Sequence, residues 1–289
     1  MSDLLPVLAL KVGKKTMSYA ALMVHMDATP NSGKRARLAA DLADRFQSAL
    51  IGVAGRTYLP NVLADGAPAK VGQNNGERLE MMTILSSVEK AFRAAAPQVR
   101  QVEWRGIFDY TNNLVPLEAR AADLVIVGRK EQPGDLYFAL DPGMTILRAG
   151  RPVLVVPEAL DRLAARRVVV AWKDTRESRR AVQDALPFLR NAEDVMIVEV
   201  CEHGTEMQSQ KCIEDVAGYL VRHKVVVGAK AFLHTQQPVA RELLRFAKDE
   251  KADLIVAGGY GHIRLSEWIF GGATRDLLAE SPICCLFSH

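Results

Sequence analysis

Ala252-Asp253-Leu254-Ile255-Val256-Ala257-Gly258 is the stretch on which the fold turns. It nearly repeats Ala122-Asp123-Leu124-Val125-Ile126-Val127-Gly128, which lies 130 positions earlier. A short apolar run of this kind, rich in β-branched residues and ending in glycine, reads as a strand buried on both faces. Meeting it twice makes the chain two copies of one unit, fused head to tail.

The repeat extends in both directions. Downstream, Pro152 of RPVLVVP stands opposite Pro282 of SPICCLF at the same offset of 130. Upstream, ALMVHMDATPNSGKRA resembles VVVAWKDTRESRRA, with Val24 opposite Val170 at an offset of 146. The first copy therefore holds about 16 extra residues, which fall in the Gly/Pro/Asn-rich stretch 55–76, expected to form a long loop or flap. The copies are placed at 17–157 and 166–289, with a short charged link over 157–166. Residues 1–16 precede the repeated unit, as an added strand or arm or as an over-long start assignment.

Each copy alternates apolar runs with helical periodicity. In the second copy, strands are expected at 167–171, 194–200, 225–230, 253–257 and 283–287. Helices fall at 175–190, capped by Thr175 or Ser178, and at 206–223, 238–251 and 273–280. In the first copy, strands fall at 20–24, 50–54, 102–105, 124–127 and 153–156, with helices near 32–47, 77–95 and 112–120. Strands that are apolar throughout and separated by helices mean a parallel sheet covered on both faces. The expected fold class is α/β, with two tandem doubly wound five-stranded sheets. Ligands of such sheets sit beyond the carboxyl ends of the strands, at the switch point.

Composition narrows the function. A chain of 289 residues that is 49% hydrophobic can bury one core or two modest ones. A net charge of +3 makes no field suited to a dedicated nucleic-acid binder. No apolar run reaches the ~18 residues that span a membrane. The N-terminal Lys residues follow the apolar stretch, whereas a secretory signal would carry them before it, so a cytoplasmic location is expected. Cys201, Cys212, Cys284 and Cys285 fit neither a zinc site nor a disulfide framework. Cys284 and Cys285 are neighbours in a strand, so they point to opposite faces as buried thiols. His25, His203, His223, His234, His262 and His289 show no ligand spacing, and no metal is expected. No GxSxG elbow occurs, so a hydrolase triad has no anchor.

The most informative segment runs from Gly258 to Thr274, GGYGHIRLSEWIFGGAT. It leaves the carboxyl end of a buried strand and enters a helix. Gly258 and Gly261 let backbone amides approach a ligand with no Cβ in the way. Gly271, Gly272 and Ala273 sit at the helix start, where N–H groups and the helix dipole favour an anion. His262 and Arg264 add charge. There is no GxxxxGK[ST], which excludes a P-loop, and no GxGxxG after a first strand, which argues against a dinucleotide site of the usual kind.

The spacing Gly258-x2-Gly261-x9-Gly271-Gly272 after a buried strand resembles that of the universal stress protein family. The resemblance runs from about Met17 onward and is that of a tandem, two-domain member. It implies an adenine nucleotide alpha hydrolase-like fold of strand order 3-2-1-4-5 in each copy. It also implies two domains that associate through their last strands as an intrachain pseudo-dimer, with a homodimer of chains left open. The ligand implied is an adenine nucleotide, ATP first, with Mg²⁺ beside it. Gly258, Gly261 and Gly271 match the phosphate and ribose loop, and Ala273 continues the helix start. Gly272 stands where ATP-binding members carry Ser or Thr. Ala171 ends the first strand, and Lys173, followed by Asp174, stands where those members have Asp or Asn. Val200 matches a position whose backbone faces the base. The first copy keeps Asp27 and Gly128 but lacks the second glycine after Arg129-Lys130, so its site is expected to be degenerate. Trp172 is expected to wall the cleft or to pack, and Asp174 and Glu267 to be solvated or to hold Mg²⁺. The resemblance implies a stress-response regulatory protein that binds ATP in its second copy. The alternative is a scaffold for protein interaction, or a small-ligand binder, without nucleotide. A slow ATP hydrolase ranks last, because no general base is evident.

Overall fold

Among the described residues, ten strands make one sheet, in the order β3-β2-β1-β4-β5-β10-β9-β6-β7-β8. The computed structural model describes residues 18–57, 75–129, 140–201, 206–234, 238–261 and 272–289. Most of the expected loop at 55–76, and all of 1–16, lie outside the described residues.

The first copy runs β1 (Ala21–His25), α1 (Ser32–Phe46), β2 (Ala49–Gly55), α2 (Asn75–Ala95), β3 (Val102–Ile107), α3 (Thr111–Glu118), β4 (Leu124–Gly128), α4 (Pro142–Arg148) and β5 (Val153–Val156). The second runs β6 (Arg167–Ala171), α5 (Arg176–Asp184), α6 (Leu186–Leu189), β7 (Asp194–Cys201), α7 (Glu206–Arg222), β8 (Val227–His234), α8 (Val239–Asp249), β9 (Leu254–Gly258), α9 (Gly272–Glu280) and β10 (Cys284–Ser288). Within each copy all neighbouring strands are parallel, in the order 3-2-1-4-5.

The repeated Ala-Asp pair now has a physical reason. The Asp123 carboxylate accepts the Ala20 and Ala21 amides at 2.6 and 3.0 Å. Asp253 accepts those of Arg166 and Arg167 at 3.1 and 3.2 Å. In each copy, therefore, the acid before the fourth strand ties down the start of the first.

The copies meet where β5 pairs antiparallel with β10, Leu154 opposite Leu286. Two tandem sheets, as expected from the repeat, are thus fused edge to edge into one. The cores follow the faces of this sheet rather than the copies. One face buries β-strand residues of both copies under α1, α2, α5, α6 and α7. The other buries them under α3, α4, α8 and α9. Cys284 belongs to the first core and Cys285 to the second, and burial pushes both thiols up, Cys285 to about 12. Tyr19 and Phe46 of the first copy pack on Phe188 of the second with ring centroids 5.7 and 5.1 Å away. The link between the copies is docked, since Arg45 donates to the carbonyls of Leu163 and Ala164.

Three elements differ from the sequence reading. The helix expected at 175–190 breaks into α5 and α6, because Pro187 has no N–H and its ring crowds the carbonyl four residues back. The strand expected at 225–230 is displaced to β8, Val227–His234. Helix α4 was not anticipated, although Asp141 caps it, accepting from the amides of Gly143 and Met144, and Pro142 opens it.

Candidate functional site

At the carboxyl ends of β6, β7 and β9 lies a cavity of about 290 Å³, on the face covered by α8 and α9. Ala171 and Lys173 border it from β6, Val198 and Val200 from β7, Ala257 and Gly258 from β9. Gly261 follows β9, and Gly272 with Ala273 opens α9 on the far side. The structure thereby brings together eight of the residues singled out in sequence: Ala171, Trp172, Lys173, Val200, Gly258, Gly261, Gly272 and Ala273. His262, Arg264, Gly271 and Glu267 lie outside the described residues.

The glycines have different reasons to be there. A Cβ on Gly258 would come within 2.7 Å of the Ser178 amide nitrogen, so the end of β9 passes flush over the start of α5. A Cβ on Gly261 would lie 2.9 Å from a Glu177 carboxylate oxygen and 3.2 Å from the Thr175 hydroxyl. A Cβ on Gly272 would meet nothing within 4 Å. Packing of the described chain therefore demands Gly258 and leaves Gly272 unexplained.

Sequence reading missed several cavity residues. Val239 and Leu243, one turn apart on α8, give it an apolar wall, and Thr274 and Leu277 of α9 close it. Glu177 was missed too. Its side chain is buried beneath Gly261, and Arg176 Nε donates to it. Burial alone would raise its carboxyl, but the Arg176 hydrogen bond and the backbone of α5 hold it below the usual range. A charged carboxylate therefore lies against the start of the glycine loop. Thr175 caps α5 as expected, accepting from the Ser178 amide at 3.3 Å.

Tyr260 ties the loop to the other copy. It adopts a left-handed φ of 56°, and its amide donates to Thr274 Oγ1 at 3.2 Å. Its hydroxyl occupies the space that a Cβ on Gly143 of α4 would need. Burial, and then the nearby Asp141 carboxylate, push this phenol up to about 12.

In the first copy, the two residues singled out meet the same partner. Asp27 Oδ2 receives Arg35 Nη2 at 2.6 Å, and the Thr29 hydroxyl donates to the other oxygen. Arg35 also donates through Nε to the His25 carbonyl at 2.8 Å, and its remaining terminal nitrogen fills the space beside Gly128. Burial would raise the Asp27 carboxyl, but Arg35, then His25 and Thr29, hold it at about 2. Burial and Arg35 push the His25 imidazole down to about 4. The offset of 146 sets Arg35 opposite Ala181. The second copy thus has a methyl where the first has a buried guanidinium. Among the described residues, no group of three or more His, Cys, Asp or Glu side chains could hold a metal ion. Among them, too, no helix is long and apolar enough to cross a membrane.

Residues 164–288 match the Universal stress protein family. The match is thus confined to the second copy. The fold extends the likeness to the first copy. A universal stress protein from Archaeoglobus fulgidus superposes with a TM-score of 0.66 at 16% identity, over 92% of this chain and 94% of that one. A putative universal stress protein from Pseudomonas aeruginosa superposes at 0.55 with 13% identity, over 92% of each chain. At such identities the likeness is one of fold, and both copies share in it. No curated protein matches the chain in sequence.

Proposed function

We propose that the cleft of the second copy binds an adenine nucleotide, ATP with Mg²⁺ before others, and that the chain serves as a stress-response regulatory protein. The observation that carries this reading is the cavity itself. It is bordered by backbone at Gly258, Gly261 and Gly272, and it lies at the carboxyl ends of the strands where open α/β sheets take ligands. The start of α9 offers N–H groups to an anion. Val198, Val200, Val239 and Leu243 offer the apolar slot that a base needs. Lys173 brings a cation to the mouth of the cleft, where the resemblance leads one to expect Asp or Asn. In the first copy, the Arg35–Asp27 pair already fills the corresponding corner, so one nucleotide per chain is expected.

Isothermal calorimetry with ATP, ADP and AMP tests the proposal. Gly272 is the residue to vary, because a side chain there meets no other part of the described chain. Gly272→Val is expected to abolish binding while the fold survives. Gly272→Ser adds a hydroxyl and is expected to tighten ATP about tenfold, as a hydrogen bond to a charged group can do. Flat titrations of the parent chain with all three nucleotides would remove the reading.

One observation favours a second reading. The Glu177 carboxylate beneath Gly261 repels a nearby phosphate, which suits an uncharged ligand or a protein-interaction scaffold instead. A partner whose capture survives Gly272→Val would support that alternative.

A further inference from the structure

The start of the second copy's glycine loop is seated on the first copy. Gly259 and Tyr260, the two residues between Gly258 and Gly261, lie against helix α4. A Cβ on Gly259 would come within 2.7 Å of the Ile146 methyl carbon Cγ2. The Tyr260 hydroxyl fills the space that a Cβ on Gly143 would take. Leu140, Ile146 and Tyr260 are buried in one core. Gly143 and Ile146 are not among the residues that border the cleft. They reach it through Gly259 and Tyr260.

Tyr260 is the joint between the two. It is buried, and it holds a left-handed φ of 56° without being glycine. A bulky residue keeps such a backbone only where its surroundings over-determine it. Two contacts do so here. The ring is anchored on α4, and the backbone amide donates to the buried Thr274 Oγ1 at 3.2 Å. Gly261, next in the chain, and Thr274 both border the cleft. A shift of the Tyr260 ring therefore acts on both. It moves the Gly261 amide, and it loosens the bond that holds the end of β9 to the start of α9. In sequence, the offset of 130 sets Lys130 opposite Tyr260 and Ala273 opposite Gly143, so the Tyr–Gly pair is not repeated in the other direction.

We propose, resting on the nucleotide reading of the cleft, that Tyr260 is a positioning residue for ligand binding, and that helix α4 of the first copy sets through it the shape of the loop that receives the phosphates. The first copy, whose own corner is filled by Arg35 and Asp27, thereby takes part in binding at the second.

Gly143→Ala in the full chain tests this. Alanine suits a helix, but its methyl would collide with the Tyr260 hydroxyl. The next neighbours, Asp141 Oδ1 at 3.1 Å and the Tyr260 ring carbon Cζ at 3.4 Å, leave it room with little movement. The ¹⁵N amide resonances of Gly261 and Thr274 read the loop, and calorimetry with ATP and Mg²⁺ reads the cleft. Both resonances are expected to move and ATP affinity to fall about tenfold, because the loop must regain its bound shape against an overpacked methyl. Adding Tyr260→Phe removes the hydroxyl and is expected to bring both readouts back toward the parent. Tyr260→Gly permits the same φ but removes the anchor, and is expected to give the same loss with no collision. Met144→Ala, on the exposed side of α4, is expected to change neither readout. Resonances unmoved in Gly143→Ala would overturn the proposal. So would a double variant no nearer the parent than Gly143→Ala, an equal response in Met144→Ala, or a Tyr260→Gly chain that binds ATP as the parent does. A parent chain that binds no ATP would remove the nucleotide reading instead, and the resonances alone would then decide whether α4 shapes the loop.

Discussion

Burial holds the His25 imidazole down to about 4, while Arg35 holds the neighbouring Asp27 carboxyl at about 2. The two groups therefore act on stability in different pH windows. The unfolded chain protonates His25 near its ordinary value of ~6.5. The folded chain resists until about 4, so stability falls as pH drops between those values. For Asp27 the loss comes only below its unfolded value of ~3.9, as pH falls toward the folded value. His25→Gln should remove the first loss and leave the second. Between pH 6.5 and 5, urea unfolding of the parent should weaken by about 2 kcal/mol more than that of the variant, at about 1.4 kcal/mol per pH unit. Parallel pH profiles would show that His25 is not the group responsible. Little at this scale could be read in advance. Asp27 stood out by its place after a strand, but Arg35 lies on the next helix, and only the packing of α1 across β1 and β4 brings its guanidinium to Asp27 and Gly128. Glu177 was passed over for the same reason. Its neighbour Gly261 is 84 positions away in sequence.

Elements were more legible. Continuous apolar runs marked the strands to within a few positions, because a strand buried on both faces has no polar side to blur the pattern. Helix α4 escaped because seven residues are too few for a period to show. Its Asp141-Pro142 start was readable, since an acid before a proline is a standard opening for a helix. The break after α5 was written in Pro187. Packing between elements is close where α2 crosses β2. A Cβ on Gly52 would lie 2.7 Å from the Phe92 ring, which is fully buried and packs on Trp104 at 5.6 Å. Gly52→Ala should therefore cost about 1–3 kcal/mol by overpacking, even though alanine suits a strand as well as glycine does. Equilibrium unfolding in urea measures this. A change within a few tenths of a kcal/mol would mean that α2 can simply lean away.

At the scale of the molecule, the repeat was plain in the sequence, but the joining of the copies was not. No local signal says that β5 will pair with β10, because each reads only as one more apolar strand. That arrangement came from family resemblance rather than from periodicity. Its energetic consequence is that neither core belongs to one copy. Each face of the sheet buries side chains from both, and Leu154 and Leu286, paired across the seam, are fully buried. Thermal unfolding should then be one cooperative transition, coincident by circular dichroism and by tryptophan fluorescence. Leu286→Ala should lower the midpoint and cost about 2–5 kcal/mol without splitting the curve. Two separated transitions in the parent chain would mean that the copies fold as independent units.

The place of β10 in the sheet has one further consequence. It comes last of the ten strands in the chain, yet it lies in the middle of the sheet. During synthesis the first copy emerges with Val153-Leu154-Val155-Val156 as a bare edge, its amides and carbonyls waiting for a partner more than a hundred residues away. An apolar edge of this sort invites pairing with other nascent chains. Pairing with β10 is what covers that edge.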